Sequence, residues 1–194
     1  MKNTLFLLLL FSISFLAKAQ TLDQLQSEAV KLYDATYNMD IDYMVSKTYP
    51  KLFNLISKED MEHEIDNAFQ NEVMRTRLVF PKTTFIYSDV KTIAGKKFCV
   101  ITYKNTLRMT YEEKLTPEMA NMTLTVLREN LKNKKVSFES PRNSFYIEGN
   151  DTLIAIADTL TNHQWTFINY DEATSSILSS LFEETIIKQL NLGL

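Results

Sequence analysis

Residues 57–66 read SKEDMEHEID and set five carboxylates and one histidine within ten positions. Such a cluster could bind a metal or run acid–base chemistry. The spacing rejects both. A zinc-binding helix needs a second histidine four residues after His63, and that position is Asn67. Asp60-x-x-His63 is half of a di-iron spacing, and the chain has no second copy. The stretch reads instead as the start of a helix. Ser57 and Asp60 fit the N-cap and N3 positions of a capping box. Glu59 and Asp60 fall in the first turn, where the helix dipole favours negative charge. Met61, Ile65, Ala68 and Phe69 mark the expected buried face, and His63 points away from it to solvent.

Other chemistries are excluded by what the chain lacks. Its three glycines, Gly95, Gly149 and Gly193, cannot build a phosphate cradle or a nucleophile elbow. The second histidine, His163, sits beside a turn and reads as an edge residue. The single cysteine, Cys99, lies in the apolar run KFCVITY and reads as a buried, inert thiol. No catalytic residue, metal ligand or cofactor is expected.

The amino terminus carries an address. Lys2, an apolar core from Leu5 to Leu16 and the small-x-small step Ala17-Lys18-Ala19 form a secretory signal peptide, residues 1–19, cut after Ala19. The apolar run is shorter than the ~20 residues that span a bilayer, so no stable membrane insertion is expected. The mature chain, residues 20–194, reads as one domain, periplasmic or secreted. The formal charge is −3, and loss of Lys2 and Lys18 makes it −3 − 2 = −5. An acidic chain with scattered basic residues argues against nucleic acid as a partner. Lys132–Lys135 are read as complementing a helix carboxyl end.

The elements follow from periodicity. Thr21 and Gln24 open a helix with Leu22, Leu25, Ala29, Leu32/Tyr33 and Thr36/Tyr37 on one face. Asp40 caps a second helix carrying Ile41, Met44, Val45 and Thr48, stopped or kinked at Pro50, with Leu52, Phe53 and Ile56 continuing helically. TTFIYSDVKTI and KKFCVITYKNTLRMTY read as strands joined at Ala94-Gly95. In the second, Tyr103, Asn105, Leu107, Met109 and Tyr111 share one face. Lys104, Thr106, Arg108 and Thr110 share the other, as in a sheet with one wet side. Thr116-Pro117-Glu118 opens a helix with the stripe Met119, Met122, Val126 and Leu127. SFYIE and TLIAIAD are predicted to flank a two-residue hairpin turn at Gly149-Asn150. HQWTFINY is a last strand with Trp165 and Phe167 on one face. Asp171 caps a closing helical region through Ile177, Leu178, Leu181, Ile186, Ile187 and Leu190.

This order of elements, and the segment AVKLYDATYNMDIDYMVSKTYPKLFNLISKEDMEHEI above all, resembles the nuclear transport factor 2-like (SnoaL-like) superfold. In that segment a helix ends in a D-x-D step, a short helix runs to an aromatic-proline, and a polar-capped helix follows. The same segment is similar to small exported bacterial proteins of unknown function. The resemblance implies an α+β fold, a cone-shaped curved antiparallel sheet wrapped around the N-terminal helices, with an inserted helix at 117–132 and a C-terminal helical region. Either addition could cover the mouth of the cone or offer a partner surface. The superfold also often dimerises through its sheet, which makes a homodimer an expectation.

Inside such a cone, polar side chains on otherwise apolar faces are the pocket candidates. They are Tyr33, Tyr37 and Tyr49 from the helices, and Tyr87, Asp89, Tyr103, Asn105 and Trp165 from the strands. No motif of the superfold's enzymes matches residue by residue, so no catalytic role is carried over. The expectation is non-catalytic binding of a small apolar ligand or a protein partner. The alternative is an isomerase- or dehydratase-like enzyme using a pocket carboxylate, Asp89 being the candidate if the half-apolar strand face it shares with Phe85, Tyr87 and Ile93 raises its pKa.

Overall fold

A computed structural model describes residues 22–171 and 175–192. The expected signal peptide, the expected cap at Thr21 and the segment through which Asp171 would cap lie outside those residues. The chain is α+β, with six α-helices and a seven-stranded, open, antiparallel sheet among the described residues.

Helix α1 (Leu22–Asn38) buries Leu25, Ala29 and Tyr33. Leu22 and Tyr37, expected on the same face, are exposed at its two ends. The helix closes in a Schellman turn. Met39 takes the left-handed position at φ 59°, and the Asp40 and Met39 amides donate to the Ala35 and Thr36 carbonyls. Asp40 then caps α2 (Ile41–Ser46), its carboxylate accepting from the Tyr43 amide at 3.0 Å. The helix stops before Pro50, because the residue ahead of a proline is driven out of the helical region. Tyr49 is accordingly extended, at φ −61° and ψ 124°. Residues 47–49 instead run beside Phe167, Tyr49 donating to its carbonyl and Phe167 to that of Lys47. A 3-10 helix, Pro50–Asn54, follows.

Helix α3 (Lys58–Phe69) begins as expected. Ser57 accepts from the Asp60 amide at 3.0 Å and donates to the Asp60 carboxylate at 2.7 Å. His63 is exposed, with its ring beside the Asn67 amide. Met61, Ile65 and Phe69 are half-buried, but Ala68 is exposed.

Two long central strands organise the sheet. β4 (Lys96–Tyr111) pairs with β6 (Ser144–Ala157) from Lys97↔Ala157 to Thr110↔Ser144. Along its other edge β4 meets β3 (Lys91–Ile93), β2 (Phe85–Tyr87) and β1 (Met74–Leu78) in turn. β6 meets β5 (Lys134–Glu139) at one end and β7 (Thr166–Tyr170) at the other. The Ala94-Gly95 hairpin turn is present, both residues at positive φ.

The hairpin expected at Gly149-Asn150 is not. Both residues lie inside β6, paired with Asn105 and Lys104. Gly149 is there because of its other neighbour. A Cβ at this position would stand 2.6 Å from Lys134 Cγ. The glycine therefore marks a close approach within a strand and not a turn. Lys134 and Lys135 likewise belong to β5 and not to a helix end.

The one wet side read from residues 103–111 holds for that half of the sheet, while the other half is dry on both faces. Phe98, Ile154, Ile156 and Ile168 pack against Leu178, Leu181, Phe182, Ile186 and Ile187. Those residues come from α5 (Ser175–Leu181), α6 (Glu184–Leu190) and the step between them. On the opposite face Cys99, Ile101, Leu153, Ala155 and Trp165 pack against Leu25 and Ala29 of α1. The polar face belongs to the half at residues 103–111, where Lys104–Glu148 and Arg108–Glu139 bridge strands at 2.9 Å. Its apolar face is covered by α4 (Pro117–Asn130), capped by Thr116. Here the expected stripe is also corrected. Ala120, Leu124 and Leu127 make the contact, while Met119, Met122 and Val126 are exposed.

One buried acid pins the layers together. The Asp158 carboxylate accepts from Tyr49 Oη at 2.8 Å and Lys96 Nζ at 2.9 Å, and from the Leu160 and Thr161 amides.

Candidate functional site

The four N-terminal helical segments do not close flush on the sheet. Between them lies a part-open cavity of about 300 Å³. Its walls are mostly apolar. Leu32, Met44, Leu52, Met61 and Ile65 come from the helical side, and Leu78, Phe85, Leu153, Phe167 and Ile168 from the sheet. Ile177 of α5 also reaches it, and no residue of α4 does.

An aromatic group forms part of the wall. Tyr33 stands edge-on to both Phe85 and Tyr103, with ring centroids 6.0 and 5.9 Å away. The Tyr33 hydroxyl donates to the Phe80 carbonyl at 2.9 Å. The Tyr103 hydroxyl has no hydrogen-bond partner among the described residues. Burial, helped by the nearby Asp151 charge, pushes its pKa well above the ordinary phenol value. Burial also raises that of Tyr33. Both rings are therefore neutral at physiological pH, able to donate a hydrogen bond.

Asn105 is the most constrained polar group in the wall. Its Nδ2 donates to Asp151 Oδ2 at 2.5 Å, while its Oδ1 is buried with no partner among the described residues. Asp151 in turn pairs with Lys134 Nζ. The charged lining residue, Lys47, is already engaged, its Nζ 2.5 Å from Glu28 Oε2. Burial pushes the Glu28 carboxyl up, but hydrogen bonds from Lys31 and Lys47 outweigh that and leave it below its usual value. Tyr43 donates to the same carboxylate at 3.2 Å, and its pKa is pushed up to about 12 by burial and by the Glu28 charge.

Of the eight candidates read from the sequence, Tyr33, Tyr103 and Asn105 meet in this wall. Tyr87 lies just behind it, against Phe85. Tyr37 is exposed at the end of α1, and Tyr49 is buried on the other sheet face, bonded to Asp158. Trp165 is buried in the core with its Nε1 unpartnered among the described residues.

Asp89 is exposed in the break between β2 and β3. It was expected on one face with Phe85, Tyr87 and Ile93, but the register slips by one residue across the break. Tyr87 pairs with Ile101, whereas Lys91 pairs with Phe98. That slip is a bulge, and it turns Ile93 to the opposite face. The bulge is held by Ser88, whose Oγ accepts from the Val100 amide at 2.9 Å.

Asp151 and Lys134 were missed by sequence reasoning. Read as strand, residues 149–157 would have put Asp151 in line with Leu153 and Ala155. No carboxylate, histidine or cysteine lines the cavity. Among the described residues no group of three such side chains could hold a metal. The lining can bury apolar surface and exchange hydrogen bonds, but it offers no carboxylate or imidazole as a proton acceptor.

Fold and site together define an α+β protein with a part-open, largely apolar cavity between its helices and its sheet. Comparison with protein-family models, curated proteins and solved structures returned no match.

Proposed function

We propose that this protein is an exported, non-catalytic domain that binds a small apolar molecule in this cavity, between the N-terminal helices and a sheet curved around them in the nuclear transport factor 2-like manner. The observation that carries the reading is the wall itself. Leucine, isoleucine, methionine and phenylalanine from both layers line it, with a few convergent polar groups, at a volume typical of small-molecule sites. An acid–base enzyme would need a carboxylate facing the ligand. The candidate for that role, Asp89, is in solvent, and Asp151 sits behind Asn105.

The test uses N-phenyl-1-naphthylamine, whose fluorescence rises in apolar surroundings. The chain from residue 20 should bind it at one site per molecule. Thr36→Phe adds bulk to the wall and should abolish binding without moving the thermal midpoint. Equal binding by both proteins, or none by the wild type, would refute the reading.

A further inference from the structure

Three buried side-chain atoms have no partner among the described residues: Asn105 Oδ1, Thr106 Oγ1 and Trp165 Nε1. All three are sealed by their neighbours, so nothing held in the cavity can reach them. The Tyr103 hydroxyl is a different case. It too has no partner among the described residues, but it is not one of the sealed atoms. Its ring is clamped by Tyr33 and Phe85, with centroids 5.9 and 5.4 Å away. The residue is half-buried and lines the cavity. Protein surrounds the phenol closely enough to raise its pKa, so the surface its hydroxyl keeps faces the chamber. The other donors of the wall are committed. Tyr33 donates to the Phe80 carbonyl, and Thr36 and Thr48 donate to those of Leu32 and Met44. The Asn105 amide donates to Asp151, and Lys47 is paired with Glu28. Asn169 is exposed and meets bulk water.

Resting on the ligand-binding reading above, we propose that the cavity takes an uncharged apolar molecule bearing a carbonyl oxygen, a ketone, aldehyde or ester, which accepts a hydrogen bond from the Tyr103 hydroxyl. A ligand that displaces water from the chamber leaves this O–H unanswered unless it brings an acceptor, and an unanswered donor costs affinity. The clamped ring holds the hydroxyl in place, so the acceptor must sit at one point of the ligand. An anionic acceptor is disfavoured. Asp151 is the cross-strand neighbour of Tyr103, and an anion would have to shed its hydration in an apolar chamber.

Three probes of one skeleton test this by displacement of N-phenyl-1-naphthylamine from the chain from residue 20. They are 4-butylacetophenone, 4-butylphenol and 1-butyl-4-isopropylbenzene, which has the shape of the ketone and no acceptor. Each is titrated against the wild type and Tyr103→Phe, which removes only the hydroxyl. The variant should bind the ketone about tenfold more weakly, the value of one neutral hydrogen bond, and the hydrocarbon as tightly as the wild type does. The phenol should lose less than the ketone. A ketone affinity unchanged by the substitution, or a phenol that loses more than the ketone, overturns the carbonyl assignment while leaving the cavity as a ligand site. So does failure of all three probes to displace a dye that itself binds. If the dye does not bind either, both readings fall. The infrared carbonyl stretch of the ketone bound to the wild type decides the matter even if the variant does not fold. It should lie below its position in hexane, and an unshifted band overturns the assignment.

Discussion

Replacing Gly149 with alanine tests the strand assignment and the support of the cavity wall together. The added Cβ would lie 2.6 Å from Lys134 Cγ, 3.2 Å from its Cβ and 3.3 Å from the Asn133 carbonyl. The first is well inside van der Waals contact. The crowded atom lies near the root of the lysine, so rotation of the far end cannot relieve it. Overpacking of this kind costs about 1–3 kcal/mol. Alanine also restricts the unfolded chain, which returns about 0.4–1 kcal/mol at a compatible backbone. The net loss is about 1–2 kcal/mol, or roughly 2–8 °C in thermal midpoint for a chain of this size. Thermal melts of four proteins complete the assay: wild type, Gly149→Ala, Lys134→Ala and the double variant. Because Lys134→Ala removes Cγ, the cost of the alanine at 149 should shrink by about 1 kcal/mol in that background. An unchanged cost, or a stabilised single variant, would refute the close-approach reading of this glycine.

Other expectations concern the buried polar groups. Burial pushes the Asp158 carboxyl up, but hydrogen bonds from Lys96 and Tyr49 outweigh it, so its folded pKa lies below the ordinary value of 3.8. Its contribution is present above that value and is lost as pH falls through the folded pKa, so the thermal midpoint should drop steeply below about pH 4. Asp158→Asn should cost about 2–4 kcal/mol at pH 7, by stranding Lys96, and should flatten the acid limb. Equal acid slopes in the two proteins would remove Asp158 from the explanation. Cys99 is 1% exposed, and burial raises its thiol pKa despite hydrogen bonds with Ser88. It should react with Ellman's reagent only after denaturant is added, and prompt reaction of the native protein would contradict its placement.

The elements that the sequence makes legible are those with local chemistry. Helix starts at Asp40, Ser57 and Thr116 announce themselves through capping side chains, and the Ala94-Gly95 turn through a residue pair that accepts positive φ. What failed depends on neighbours distant in the chain. Gly149-Asn150 looks like a turn until β4 is known to run unbroken beside it. β1 and β5 were not expected as strands, because Met74–Leu78 carries two arginines and Lys134–Glu139 opens with two lysines. A second dry face, supplied by α5 and α6, cannot be read from β4 alone, since a residue packed beneath another layer looks no different from one on a single-sided sheet. The face of α4 followed the same rule. Its methionines are as apolar as its leucines, and only the position of β5 decides which of them is covered. For the site, the alternation of β4 correctly put Tyr103 and Asn105 on one face. The one-residue slip that removes Asp89 has no signature in composition.

Ligand binding requires a small apolar molecule to be held in the cavity between the N-terminal helices and the sheet. A crystal structure of the chain from residue 20 with 4-butylphenol measures this directly. The butyl chain should lie among Leu32, Phe85 and Leu153, with the Asn105–Asp151 hydrogen bond intact. A phenol found outside the cavity, with the space among those side chains empty, would contradict ligand binding there.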